Sequence, residues 1–181
     1  MEKTKNQTGF WPEMARPVVV LVIICLVASA LLGAVNAKTK PVIEANKNAA
    51  AVQTRQEVLP AATAFEELPV SEELAARGVT GIFKGDNNSG YVVTASNKGY
   101  GGDVVVTVGF DTAGAILKVK ADVSTETTGV GSKVGEDAVL NGFIGVTDNA
   151  DNVKLRSGAT YTSNAVRSSV NAAFDAVASV R

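Results

Sequence analysis

Between Arg16 and Lys38 the chain runs for 21 residues, Pro17 to Ala37, without a charged side chain: PVVVLVIICLVASALLGAVNA. No other feature limits the fold so strongly. A helix rises about 1.5 Å per residue and the hydrocarbon core is about 30 Å thick, so about 20 residues span it. Arg16 and Lys38 bracket the run, and Phe10 and Trp11 precede it where interfacial aromatics sit. The expectation is an uncleaved transmembrane helix over residues 17–37. A cleaved secretory signal ending at Val35-Asn36-Ala37 is the competing reading, but the run exceeds the usual core of about 7–15 residues. Charge does not orient the span: Lys3, Lys5 and Arg16 precede it, and Lys38, Lys40 and Lys47 come after it. Cys25, mid-span, reads as a small apolar residue of a membrane helix.

Beyond the span the chain has room for one domain of ordinary size. A formal net charge of −1 provides no basic field for nucleic acid. The chain has no histidine, which removes the commonest general base and metal ligand and with them Ser-His-Asp chemistry. A lone cysteine excludes an intrachain disulfide and any cysteine-ligated cluster built by this chain alone. No catalytic residue and no metal site are expected; reactivity must come from hydroxyls, carboxylates, amines or something bound.

Residues 40–59 place Val42, Ala45, Ala49, Val52 and Leu59 at near-helical spacing, which predicts an amphipathic helix ended by Pro60. AATAFEELPVSEELAARG reads as short helical or irregular connecting structure closed by Gly78, so residues 38–77 form a stalk and connector. From Gly78 the period changes to two. VTGIFKG, GYVVTASN, DVVVTVGFD and AILKVKADV are β-rich runs separated by DNNSG, KGYGG and DTAG, the glycine-rich reversals of an antiparallel meander. A short helix in EDAVLNGF and an extended NVKLR come next. The last helix carries Val166, Val170, Ala173 or Phe174, and Val177 on one face. The fold class is α+β: one domain over residues 78–181, an antiparallel sheet packed by helices, on a single N-terminal transmembrane helix.

Two loops could carry chemistry. RSGATYTSNAV, Arg156 to Val166, gathers Ser157, Thr160, Thr162 and Ser163 around Gly158-Ala159. Thr162 or Ser163 would be a good N-cap for the last helix. A helix N-terminus also offers unpaired N–H groups and a positive dipole end suited to phosphate, within reach of Thr160. Spacing alone leaves a plain cap and an attachment point both open. The second loop is TETTGVGSK, Thr125 to Lys133, in which Gly129 and Gly131 permit close approach of a ligand; it lacks the Walker spacing. A third stretch, NKGYGGD, reads as a hairpin turn.

In combination, the anchor, VLPAATAFEEL, GYVV, GYGGDVVVTVGFDTAGAI, ETTGVGSK and SGATYTS resemble the FMN-binding G subunit of the Rnf ion-translocating ferredoxin:NAD oxidoreductase complex, and its cousin, the C subunit of the sodium-pumping NADH:quinone reductase. The resemblance covers about Pro17 to Val180. It implies that Thr160 is joined through a phosphoester to FMN, with Ser157, Gly158 and Ala159 shaping the site and Thr162 and Ser163 beside it. It also implies that Glu126, Thr127, Thr128 and Gly129 lie near the flavin. Tyr100, Tyr91 or Phe83 could line an apolar slot for the isoalloxazine. Thr128 stands where the family commonly has proline, Ser124 where a histidine often lies, and Lys154 where an acidic residue is usual.

The same resemblance implies a separate Mg²⁺-dependent flavin transferase, membrane partner subunits, a cytoplasmic N-terminus over residues 1–16 and a C-terminal domain outside the cytoplasmic membrane. The expected function is electron transfer within an Rnf-type complex, with no independent catalysis by this chain. Two other readings stand beside it. One is an autonomous anchored flavoprotein for extracellular electron transfer; the other is a non-enzymatic envelope module in which the hinge is only a cap.

Overall fold

The computed structural model describes the chain from residue 10 to residue 181, with side chains from residue 15. Lys3 and Lys5, most of the segment 1–16, and the side chains of Phe10 and Trp11 lie outside the described residues. The first element, α1 (Phe10–Val58), is one helix through both the apolar run and the expected stalk helix, with Pro17 and Pro41 inside it. It is the one helix among the described residues long and apolar enough to cross a membrane, with an 18-residue window of mean hydropathy 3.1 and none of that window buried. Pro60 has no N–H to continue a helix, and the last turn closes at Leu59, whose N–H donates to the Arg55 carbonyl at 3.0 Å.

The chain divides into two units, Met1–Ala49 and Ala50–Arg181. The second therefore takes in residues 50–77, which the sequence pattern groups with the connector. Its sheet has five antiparallel strands in sequential order: β1 (Phe65–Leu68), β2 (Val79–Gly85), β3 (Tyr91–Lys98), β4 (Asp103–Phe110) and β5 (Ile116–Asp122). Strands β2 to β5 are the four expected runs. The first strand corrects the expectation of helical or irregular structure at FEEL. Its two glutamates are both exposed, so it shows no alternation of period two. Pairing supplies what pattern does not, with Phe65 opposite Gly85 and Leu68 opposite Ile82. Between β1 and β2 lies α2 (Glu72–Ala76), capped by Ser71, whose Oγ accepts from the Leu74 N–H at 3.4 Å. In the β2–β3 reversal, Asn87 and Asn88 take φ of 53° and 56°, a left-handed conformation that asparagine tolerates.

Beyond the sheet come α3 (Asp137–Leu140) and a tight turn over Asn141–Phe143, the expected short helix. NVKLR forms no strand. Its place against the last helix, α4 (Thr160–Val180), is held by Arg167, which donates from Nε to the Ala150 carbonyl at 3.3 Å and from Nη2 to the Val153 carbonyl at 3.0 Å. α4 lays Val166, Val170, Ala173 and Val177 on the sheet, against Val93, Val106, Val108 and Phe110. Phe174 meets the Phe110 ring edge-on at 5.3 Å. The alanines of this face, Ala165, Ala172, Ala173 and Ala176, let the helix backbone close on the strands. A smaller core covers the opposite face: Val58, Leu59, Ala62, Phe83 and Val92, with the Arg55 guanidinium 3.6 Å above the Phe83 ring.

Candidate functional site

α4 begins three or four residues earlier than a cap at Thr162 or Ser163 would set it. Its first helical residue is Thr160, and Ala159 stands at the cap position with φ −121° and ψ 51° and no side-chain cap bond. The expected capping roles of Thr162 and Ser163 are therefore corrected: both are buried within the first turn. Their hydroxyls are engaged elsewhere. Thr162 Oγ1 donates to Glu126 Oε2 at 2.6 Å, and Ser163 Oγ donates to the Arg156 carbonyl at 3.2 Å. Gly158 carries the reversal into the helix at φ +85°, where a Cβ would be strained. The leading N–H groups of α4 have no intrahelical acceptor and stand at the positive end of the dipole. The Thr160 side chain, exposed, sits at that end.

Glu126 organises the other wall. It is only 6% exposed. Its Oε1 accepts from the Tyr100 N–H at 3.0 Å and the Gly101 N–H at 3.1 Å, both in the β3–β4 turn. Burial pushes its pKa up, but the hydrogen bonds from Thr162 and from the Gly101, Tyr100 and Gly102 N–H groups outweigh burial, and the net displacement is downward. The residue is held as a carboxylate. Glycine is required around it for room. A Cβ on Gly131 would come within 2.6 Å of Oε2 and 2.9 Å of Thr162 Oγ1, and one on Gly99 would overlap Oε1. NKGYGGD is thus a hairpin turn, closed by the Gly99 N–H on the Gly102 carbonyl at 2.8 Å, and also the donor half of a clamp on Glu126.

Between these walls lies a cleft of about 410 Å³, lined mostly by apolar surface. That is within the range of small-molecule sites, about 300–1,000 Å³. Gly158, Ala159, Thr160 and Thr162 line it from the hinge, and Glu126 and Thr127 from the second loop. The other expected residues stand outside the lining. Ser157 is exposed on the hinge, Ser163 is buried beneath it, and Thr128 and Gly129 are exposed on the loop, where the Gly129 N–H donates to Ser132 Oγ at 2.9 Å. Of the candidate slot aromatics, only Tyr100 lines the cleft. Tyr91 packs on the main core at the opposite end of β3, and Phe83 lies under Arg55 on the other face of the sheet. Gly131, expected to permit close approach of a ligand, lines the cleft as well, and Tyr161 and Val130, which the sequence pattern does not single out, complete the lining. The density of glycines at Gly99, Gly101, Gly102 and Gly131 is the available signal that something large is enclosed there.

Residues 99–175 match the FMN-binding domain family. The match starts in the β3–β4 turn and ends inside α4, so it contains Tyr100, Glu126, Thr160 and Thr162. The protein is an FMN-binding domain joined to one long N-terminal helix. Over 94% of its length the chain is 30% identical to the G subunit of the Na(+)-translocating ferredoxin:NAD(+) oxidoreductase complex of Acetobacterium woodii, covering 95% of that protein. It is 25% identical to the G subunit of the proton-translocating ferredoxin:NAD(+) oxidoreductase complex of Clostridium ljungdahlii, over 98% of this chain and 96% of that one. The chain belongs to the family of FMN-binding G subunits of ferredoxin:NAD(+) oxidoreductase complexes.

Proposed function

We propose that this protein is the membrane-anchored electron-transfer subunit of an Rnf-type complex and carries its FMN covalently, as a phosphoester on Thr160. The observation that carries the reading is the exposed Thr160 hydroxyl on the first residue of α4, at an uncapped helix start and on the wall of the cleft. The phosphodiester retains one negative charge, which a helix N-terminus favours by about 0.3–1 kcal/mol. Gly158 and Ala159 keep side-chain bulk away from the approach to that hydroxyl. Attachment requires a separate flavin transferase acting on FAD. Thr160 Oγ bonds to the phosphorus on the riboflavin side, the pyrophosphate bridge breaks, AMP leaves, and the hydroxyl proton is released.

FMN supplies the capacity to accept and release electrons; the chain supplies its position. α1 anchors that position in the cytoplasmic membrane, with residues 1–16 inside and the flavin domain outside. Covalent attachment keeps a redox centre on that side from being lost to dilution. The span 17–37 contains no Asp, Glu, Lys or Arg, so any ion path belongs to partner subunits. Ferredoxin and NAD would likewise be handled by those partners. The similarity of whole-chain length to two complex subunits favours this reading over an autonomous surface flavoprotein.

The test is the intact mass of the full chain co-expressed with an exported flavin transferase, beside a Thr160→Ala control. A gain equal to FMN less one water, absent from the control, is expected. An unshifted mass with active transferase refutes the covalent carrier. Recovery of the flavinylated chain without other membrane subunits, from cells that make the complex, refutes the assignment to that complex.

A further inference from the structure

Two tyrosines face each other at the cleft and leave most of their surface uncovered. Tyr100 is 73% exposed and Tyr161 is 70% exposed, although large aromatics are ordinarily covered. They come from different elements, the β3–β4 turn and the first turn of α4. Their ring centroids are nonetheless only 6.1 Å apart, tilted by 47°. Both line the cleft that Thr160 lines, and Val130, 47% exposed, adds apolar surface to the same wall. The backbone that carries each ring is fixed from behind. The turn at Tyr100 is held by its N–H on Glu126 Oε1, and the turn carrying Tyr161 is held by Thr162 on Oε2 of the same carboxylate.

We propose that Tyr100 and Tyr161 form the aromatic platform on which the isoalloxazine of the Thr160-linked flavin lies. This rests on the covalent FMN reading above and adds the residues that hold the ring. Tyr161 directly follows the attachment residue, so a ribityl tether from Thr160 keeps the ring system within reach of both phenols. A short tether raises the local concentration to about the millimolar range, at which weak contact with the two phenols, one stacked and one angled, is populated. The 47° tilt leaves the rings splayed, so that one can lie flat on the flavin while the other meets it at an angle.

Tyrosine beside an excited flavin donates an electron that returns on recombination, so flavin emission is lost without net chemistry. Phenylalanine stacks but does not donate. The experiment measures flavin fluorescence yield, per flavin counted by intact mass, in the full-length flavinylated chain and in Tyr100→Phe, Tyr161→Phe, the double variant and Tyr100→Trp. A weakly emitting parent is expected, with several-fold brightening in each Phe variant, the strongest emission in the double variant, and quenching restored by Trp. A Tyr100→Phe chain that emits as weakly as the parent overturns the platform, and its hinge sequence is untouched. Unchanged emission with loss of co-purifying membrane subunits also overturns it and makes the tyrosines a protein-docking surface. If the parent gains no FMN mass, the covalent reading fails first and the platform with it; a parent that gains FMN but shows no tyrosine effect sinks the platform alone.

Discussion

Replacing Glu126 tests whether one buried carboxylate holds the two walls of the cleft together. Glu126→Ala leaves three donors without their acceptor: Tyr100 N–H, Gly101 N–H and Thr162 Oγ–H. The two N–H groups belong to turn residues open to solvent and can be rehydrated, so each loses about 0.5–1 kcal/mol. The Thr162 hydroxyl, on a residue 2% exposed, cannot, and an unsatisfied buried donor costs about 1–3 kcal/mol. The expected total is about 3 kcal/mol. Glu126→Gln keeps one oxygen for the two N–H groups and turns its amide toward Thr162, whose hydroxyl can rotate to accept. It loses only the charge assistance, about 1–2 kcal/mol.

The assay is urea unfolding of the full chain in mild detergent, followed by far-ultraviolet circular dichroism. With a slope of about 2 kcal/mol per molar, the Ala variant should lose about 1.5 M in midpoint and the Gln variant about 0.5–1 M. pH gives a second axis. The folded pKa of Glu126 lies below its unfolded value, near 4.3. Its stabilisation is therefore fully present above about pH 5 and is lost as pH falls through the folded value. The gap between parent and Glu126→Gln should narrow on acidification, because a protonated glutamate resembles glutamine. An Ala variant less than about 1 kcal/mol below the parent refutes the clamp. So does a Gln gap that is the same at neutral pH and in acid.

Three further outcomes are expected. Gly131→Ala forces a Cβ into Glu126 and Thr162 and should lower stability by about 1–3 kcal/mol in the same urea assay. Thr162→Val removes the hydroxyl but keeps the shape; it should cost about 1.5–3 kcal/mol, and a double-mutant cycle with Glu126→Gln should show clear non-additivity. A chain lacking residues 1–37 should remain soluble and folded by size-exclusion chromatography and circular dichroism, since the unit carrying the sheet begins at Ala50; aggregated material would show that the apolar helix is needed for folding.

The apolar helix, the β2–β5 meander and the buried face of α4 are legible because each rests on a local period. Apolar residues at spacings of three and four in α4, and Gly-Asn or Gly-Asp reversals between strands, carry their meaning within a few residues. β1 is not legible, since four residues with two exposed glutamates make a strand only when β2 offers its edge. The start of α4 escapes for a related reason. Thr162 and Ser163 are good caps in isolation, and only the fold reveals that a carboxylate 36 residues away takes the Thr162 hydroxyl. Thr160 stands out through family resemblance rather than through any period.

Taken one at a time, the turn at Gly99–Gly102, the loop at Thr125–Lys133 and the hinge at Arg156–Ser163 each favour an ordinary structural explanation. They become one site because Glu126 sits in the middle strip of chain and bonds to both of the others. Burying a single carboxylate is unfavourable unless its oxygens are satisfied, and local sequence could not supply enough donors. The fold draws them from a turn 25 residues before and a helix 36 residues after. The glycines are a consequence of that solution, as Gly99 and Gly131 leave the volume the carboxylate occupies. A buried acid with glycine-bearing loops on either side in the sequence is thus a signature of convergence. It points to where a cleft will form even when no single loop announces one.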